Sequence, residues 1–419
     1  MPASGYLLPK NSSARAAIFR CGVKQAFLVG EEASFRFSRC RKEGVCDMKK
    51  TFQYRIYPTR KQQTTLKRWL ALCCETYNAA LQERRDAYRM AGVSLGFAQQ
   101  CAELPACKDV RPELAEVNAQ VLQNVVKRVD LAFQAFFRGC ATGERIGYPR
   151  YRSRSRYASL TFPQYASPGN QGCFSFARDG KLVLSKIGHV KLVQHRPLKG
   201  LPRTAIVKRS TTGKWYVSIC CDEVEPVALP ASPEHVGIDV GLKAFAYLSD
   251  GQQIDNPRFF RQEEHALAKA NRRLAKTEKK TQQRRRRKQE VSRVHERIRH
   301  RRENFVQQHT RRLVNGYGLI AVEALVVRNL VKNNKLAKSI ADASWSAFFQ
   351  ALCRKAEEAG RTVLKVPPAH TSRTCSGCGH RQDMPLSVRV YECEQCGLVL
   401  DRDHNASRNI LHKAVGRHG

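Results

Sequence analysis

The stretch CSGCGHRQDMPLSVRVYECEQCGLVLDRDHNASRNIL, residues 375–411, holds two matching CxxCG steps and then, at once, an acidic DRD. Cys375, Cys378, Cys393 and Cys396 form CxxC-x14-CxxC, one residue short of the usual 15–20 spacing of such frames. A CxxC turn aims two thiolates at one point, and Gly379 and Gly397 accept the backbone angle that each turn demands. Four thiolates in a tetrahedron suit one structural Zn²⁺ and leave no open position for chemistry. A redox CxxC pair is the competing reading, but two are present and neither opens a helix. His380 stands nearby, though four sulfurs already complete a shell.

The carboxylates form a second pattern. Asp239 interrupts the apolar VGIDV, Glu323 does the same in LIAVEALVV, and Asp403 stands where a last helix begins. A buried ionised carboxylate is costly unless neutralised. Each alone reads equally well as a capping residue at the end of an element. Three in one region with alternating α and β patterns point instead to hard divalent cations, two Mg²⁺ or Mn²⁺, and to phosphodiester hydrolysis. Gly237 and Gly241, flanking Asp239, would let a phosphate backbone approach. The order of strand with Asp, hairpin, strand with Glu and helix with Asp matches the ribonuclease-H-like plan.

Outward from these motifs the chain is strongly basic. Its 419 residues carry 74 Lys+Arg against 36 Asp+Glu, a formal charge of +38. Such an excess repels itself and calls for a polyanionic partner, with nucleic acid foremost and no membrane expected. No apolar run approaches the ~20 residues of a spanning helix. Of the 16 cysteines, the twelve outside the frame follow no repeated spacing, and Lys10, Arg15 and Arg20 break up any secretory signal, so a reducing cytoplasm is expected.

Residues 1–47 show no periodicity, and MKKTFQYRIYPT from Met48 reads as a second beginning: either translation starts there or the preceding segment is dispensable. Phe52, Tyr54 and Ile56 alternate as in a half-buried strand closed by Pro58. The spacing predicts helices from Thr59 to about Met90 and from Arg111 to Phe137. In GYPRYRSRSRYASLTF, Arg150, Arg152, Arg154 and Arg156 alternate with Tyr148, Tyr151 and Tyr157 nearby. In an extended segment these guanidinium groups would line one edge and meet phosphates, with tyrosines free to stack on bases. A solvated loop is the alternative. Residues 171–225 read as strands with a hairpin at Thr212-Gly213, and the Pro-rich segment 225–235 as a boundary. Then come a strand, a turn at Asp250-Gly251 and another strand, followed by a basic helical hairpin over 261–316. That hairpin includes Arg284, Arg285, Arg286 and Arg287, a further candidate nucleic-acid contact. Strand 319–327, helix 344–360 and strand 361–367 complete the order.

MKKTFQYRIYPT, YNAAL (77–81), GIDVG, VEAL, TSRTCSGCG…YECEQCG and DRDHNASRNI, in this order, closely resemble TnpB, the RNA-guided nuclease of bacterial insertion sequences, related to type V CRISPR effectors. The resemblance spans roughly residues 48–411; residues 1–47 have no counterpart, and Ala324 replaces a more usual Asp or Asn. It implies a multidomain α+β and α/β fold. A β-rich wedge (48–58 and 141–230) would carry an inserted helical recognition lobe (59–140). A ribonuclease-H-like RuvC nuclease domain (231–370 and 401–412) would follow, with an inserted zinc ribbon (371–400) and a tail (413–419). It also implies Asp239, Glu323 and Asp403 as catalytic residues, a guide RNA from the end of the element, a double-stranded DNA target next to a short motif, and a cytoplasmic, nucleoid-associated setting in a bacterium. A nuclease-silent RNA-guided repressor and a strand-transfer transposase are the alternatives, and the complete triad argues against the first.

Overall fold

The computed structural model describes residues 48–416 except 145, 168 and 386, so the expectations for residues 1–47 lie outside the described residues. The N-terminal half is built on β1 (Met48–Tyr57), α1 (Arg60–Ala91), the short helices α2 (Phe97–Ala102) and α3 (Leu104–Val110), a 3₁₀ turn at Pro112–Glu116, and α4 (Ala119–Thr142). Six strands follow: β2 (Ser159–Phe162), β3 (Phe174–Phe176), β4 (Leu182–Leu184), β5 (Gly188–Val193), β6 (Leu201–Arg209) and β7 (Trp215–Val224). Together they form one seven-stranded sheet in the order β2-β6-β7-β1-β5-β4-β3. Phe52, Tyr54 and Ile56 of β1 are buried, as their alternation predicts.

Helix α1 begins as expected. Thr59 accepts the Gln62 amide while the Gln62 side chain accepts the Thr59 amide, so two otherwise orphaned donors are satisfied together. Helix α4 starts later than the spacing predicts. Pro112 opens a separate 3₁₀ turn, and Asn118 caps α4 by accepting the Gln120 amide. Val117 still falls in the buried row, which is why periodicity alone ran the helix too far back. Trp69 of α1 stacks on Phe162 of β2 at 6.3 Å, and one continuous apolar cluster joins both long helices to the sheet.

The second half holds β8 (His235–Val240), β9 (Ala244–Leu248), β10 (Gln253–Asp255), the antiparallel pair α5 (Phe259–Ala275) and α6 (Gln282–Gly316), then β11 (Leu319–Glu323), α7 (Val327–Leu330), α8 (Ala337–Ala343), α9 (Trp345–Ala359) and β12 (Thr362–Val366). The five strands order as β10-β9-β8-β11-β12, with the first three antiparallel and β8, β11 and β12 parallel. Two expectations are corrected. The run from Val236 to the Asp250-Gly251 turn, read as one strand, is two, β8 and β9, because the chain turns at Gly241–Lys243; all residues of β9 are buried. Strand β11 ends at Glu323 rather than running to residue 327.

The cysteine segment forms a two-stranded sheet of β13 (Val390–Glu392) and β14 (Val399–Asp401), and the chain closes with α10 (Arg402–Val415). Helix α10 packs against β8 so closely that a Cβ at Gly237 would sit 2.1 Å from the Ser407 carbonyl oxygen. Gly237 therefore admits the helix, not a phosphate backbone. Gly241 likewise has protein, not open space, around it: an added Cβ would lie 3.2 Å from the Ala244 carbonyl oxygen and 3.5 Å from Asp403 Oδ2. Among the described residues no helix is long and apolar enough to cross a membrane.

Candidate nuclease centre and cysteine module

Strand periodicity decides where the acidic side chains point. Val236, Ile238, Ile320 and Val322 pack into the apolar cluster with α6 and α9, whereas Ala321 packs with Ile410 and Ala414 of α10. Successive side chains alternate between faces, so Asp239 and Glu323 face the α10 side. Val322 lies beside Ile238 in the parallel register, and the next residue along each strand is Glu323 and Asp239. Asp403, in the first turn of α10, meets them there; its amide donates to Asp401 Oδ1 at 2.9 Å, which caps the helix.

Burial pushes the Asp239 carboxyl well above the usual carboxylate range, and the charges of Glu323 and Asp403 push it further. Glu323 and Asp403 are also raised, chiefly by burial. Cations offset this only in part: Lys243, Arg389 and Arg402 act on Asp403, and Lys413 on Glu323. Arg402 donates to the carbonyls of Pro385 and Val388 at 2.6 and 3.3 Å, and Arg389 stands 4.0 Å from Asp403. The result is three hard oxygen donors whose burial outweighs the cations around them. They are spaced more widely than the cysteines, which are the only His, Cys, Asp or Glu ligand atoms among the described residues to gather within 4.8 Å of one another in a group of three or more.

In the cysteine module the Sγ atoms of Cys375 and Cys396 are 3.6 Å apart, as are those of Cys378 and Cys393. Four sulfurs at ~2.3 Å around a tetrahedral Zn²⁺ would be roughly 3.8 Å apart, so the frame could hold zinc as it stands. Gly379 and Gly397 adopt φ of 79° and 69°, the left-handed angle that each knuckle requires. The amides of Cys396 and Gln395 hold the Cys393 thiol down, whereas Cys378 and Cys396 are raised, in part by hydrogen bonds with the other thiols.

A buried polar network, not anticipated from the sequence, ties the module to the acidic face. Asn405 accepts the Ser376 amide at 2.9 Å and donates to the Thr374 carbonyl at 2.8 Å. Asn409 donates to the carbonyls of Thr371 and Thr374 at 2.8 and 2.6 Å. Thr371 in turn donates its hydroxyl to Glu323 Oε1. The only sequence signal was four polar residues, Arg402, Asn405, Ser407 and Asn409, on the buried side of an amphipathic helix.

The basic candidates divide. Segment 147–158 is not a strand; a turn closed by the Arg156 amide on the Ser153 carbonyl breaks the two-residue alternation, so the four arginines do not share an extended edge. Arg154 pairs with Glu75, and Arg152 is anchored by its backbone to Asn78. Tyr157 is buried against Arg128 and cannot stack on a base, whereas Tyr148 and Tyr151 are exposed beside Arg85. In the second group Arg284 caps α5, donating to the carbonyls of Leu274 and Thr277 at 3.1 and 2.6 Å. Arg287 pairs with Glu290, and Arg285 and Arg286 are exposed.

Three family models match the chain: one described as "Probable transposase" over residues 218–334, one as "Cas12f1-like, TNB domain" over 345–410, and one as "Helix-turn-helix domain" over 48–92. The last segment is here one strand and one long helix. A protein of Streptomyces pristinaespiralis named "Putative RNA-guided DNA endonuclease" is 35% identical over 87% of this chain and 89% of its own length. "Putative RNA-guided DNA endonuclease InsQ" of Escherichia coli K12 is 26% identical over 86% and 91%. "TnpB-like protein L770" of Acanthamoeba polyphaga mimivirus is 24% identical over 85% and 72%. In fold, the chain is similar to the protein of a Cas12f1-sgRNA-target DNA complex, with a TM-score of 0.55 at 14% identity over 87% of this chain and 98% of that one. The chain belongs to the TnpB family of insertion-sequence proteins.

Proposed function

We propose that the chain is an RNA-guided, divalent-metal-dependent DNA endonuclease of a transposable element, with Asp239, Glu323 and Asp403 as its catalytic carboxylates on a ribonuclease-H-like RuvC core. The observation that carries this reading is the convergence on one face of two adjacent parallel strand ends and a helix start, each bearing a carboxyl that burial raises despite the cations nearby. The strand order, three antiparallel and two parallel with a helix on the acidic face, supports the ribonuclease-H-like assignment. The wedge, recognition lobe and zinc ribbon are assigned to the remaining segments on family membership.

Converging carboxylate oxygens suit hard cations such as Mg²⁺. Two such ions, when bound, supply an activated water and neutralise charge on the departing 3′ oxygen. The protein's own groups do the positioning: Thr371 orients Glu323, and the Asp401 cap holds the first turn that carries Asp403. The excess of positive charge supports an RNA partner whose base pairing selects the target.

The test is to purify the protein, sequence the RNA that accompanies it, and offer DNA matching that RNA. One enriched RNA species and Mg²⁺-dependent cutting that Asp239→Ala abolishes are expected. Random cellular RNA, or full cutting by Asp239→Ala, overturns the reading; joined DNA ends would favour a transposase.

A further inference from the structure

A hollow reached by the turn that follows Asp239 has the opposite charge to the acidic cluster. Its volume is about 310 Å³ and its lining includes Lys243, Arg258, Arg261, Ser339 and Asp342. That volume is at the lower end of the range for ligand sites, about 300–1,000 Å³. The one carboxylate in it is already satisfied: Arg302 donates to Asp342 Oδ1 from Nε at 2.9 Å and from Nη2 at 2.5 Å, and the Phe260 amide donates to both oxygens at 3.1 and 3.0 Å. Lys338, on the rim, pairs with Glu264 and lies over the Phe260 ring at 5.0 Å.

Among the described residues, no ion pair or side-chain hydrogen bond engages Arg258 or Arg261, and Lys243 makes none but feels the charge of Asp403. Cations gathered around one hollow repel one another. Arg258 is moreover held at φ 48° and ψ 49°, a left-handed conformation that a side chain other than glycine adopts at a cost. The strain is enforced locally: Asn256 donates to the Leu242 carbonyl at 2.9 Å and accepts the Arg258 amide at 3.2 Å, which clamps the two walls together. Lys243 belongs to both sites, because it lines the hollow and stands in the turn after Asp239 whose Gly241 abuts Asp403.

A carboxylate cluster repels a phosphodiester, so a strand that enters it needs fixed positive charge alongside. We propose that this hollow is a subsite for the sugar-phosphate backbone of the single DNA strand that enters the acidic cluster, with Lys243, Arg258 and Arg261 on its phosphates and Ser339 offering a hydroxyl. This rests on the nuclease reading above and adds where the substrate strand is held.

The test uses the full chain with its copurifying RNA in an Asp239→Asn background, so that no strand is cut. Binding of a dye-labelled single-stranded DNA is measured across a salt series. Replacing Lys243, Arg258 and Arg261 together by Gln should reduce the slope of log affinity against log salt by about 0.7 per lost contact, about 2 in all. Lys243→Arg with Arg258→Lys and Arg261→Lys should keep it. All three side chains are exposed, so the fold should survive, and an unchanged melting curve checks this. An unchanged slope overturns the proposal. Loss of the RNA at a salt concentration the parent withstands also overturns it and gives the hollow to the RNA. With Asp239 restored, the Gln variant should cut target DNA at least tenfold more slowly. If the parent cuts nothing, the nuclease reading fails while the salt series still decides the hollow.

Discussion

Thr371 donates its hydroxyl to Glu323 Oε1 at 2.6 Å, so a residue only four positions before the first zinc-type cysteine holds one of the three acidic side chains. The same Thr371 has its carbonyl gripped by Asn409 and is itself buried. Thr371 therefore links the segment that leads into the cysteine module to the orientation of Glu323.

Removing that hydroxyl should be felt in the chemistry. The bond favours ionised Glu323, so Thr371→Val should raise a carboxyl that burial already raises. The acid limb of the rate against pH should move to higher pH, and cutting at neutral pH should fall about tenfold, equivalent to ~1.4 kcal/mol. Thr371→Ser should restore both. A pH profile measured on all three proteins decides, and a lower rate with an unmoved limb would assign Thr371 a packing role alone.

The acidic cluster should weaken the metal-free fold. Because the Asp239 carboxyl is raised in the folded state, the native protein binds more protons than the unfolded chain between the ordinary carboxyl value and the raised one. Stability then falls as pH rises through that window, and at neutral pH the ionised group is a net cost. Asp239→Asn should therefore melt higher than the parent in Mg²⁺-free buffer without chelator at pH 7, with the gap closing toward pH 4. Added Mg²⁺ should raise the parent more than the variant. Equal melting curves without Mg²⁺ would deny the repulsion.

Cys393→Ser should leave three thiolates, weaken zinc retention and open the segment from about residue 371 to 400 to protease, since structural metal supplies much of the folding energy of such a module. Cutting should fall with the carboxylates untouched, because Thr371 and Asn409 lose their fixed partners. One equivalent of zinc retained with full activity would refute this. Metal analysis and limited proteolysis are the measurements.

The two arginine groups should behave differently within themselves. Arg285→Gln with Arg286→Gln should flatten the salt dependence of nucleic-acid binding by roughly 0.7 to 0.9 per lost contact and leave stability unchanged. Arg284→Gln should instead lower stability by about 1 kcal/mol, because it uncaps two carbonyls at the end of α5. In the other group, Arg150→Gln should change the salt slope more than Arg154→Gln, whose guanidinium is paired with Glu75. Salt series and thermal melts on the single variants separate these effects.

Local chemistry was enough for much of this protein. The Thr59 cap and the three-four spacing after it placed α1 to within a residue, and alternation placed Phe52, Tyr54 and Ile56 in a core. Paired CxxCG turns read as a metal frame because both the geometry and the ligands lie within one short segment. Tertiary structure alone decided the rest. Gly237 looked like an opening for phosphate and is instead the point where α10 lies against β8. Tyr157 and Arg284 looked free and are spent inside the fold. Lys243, Arg258 and Arg261 carry no common spacing, yet a turn and a helix start bring them around one hollow. A side chain's type and its near neighbours fix periodicity, caps and knuckles, because these depend on a few residues of backbone. Whether a charge is paired, or a glycine faces solvent or a helix, depends on which distant element the chain folds against it.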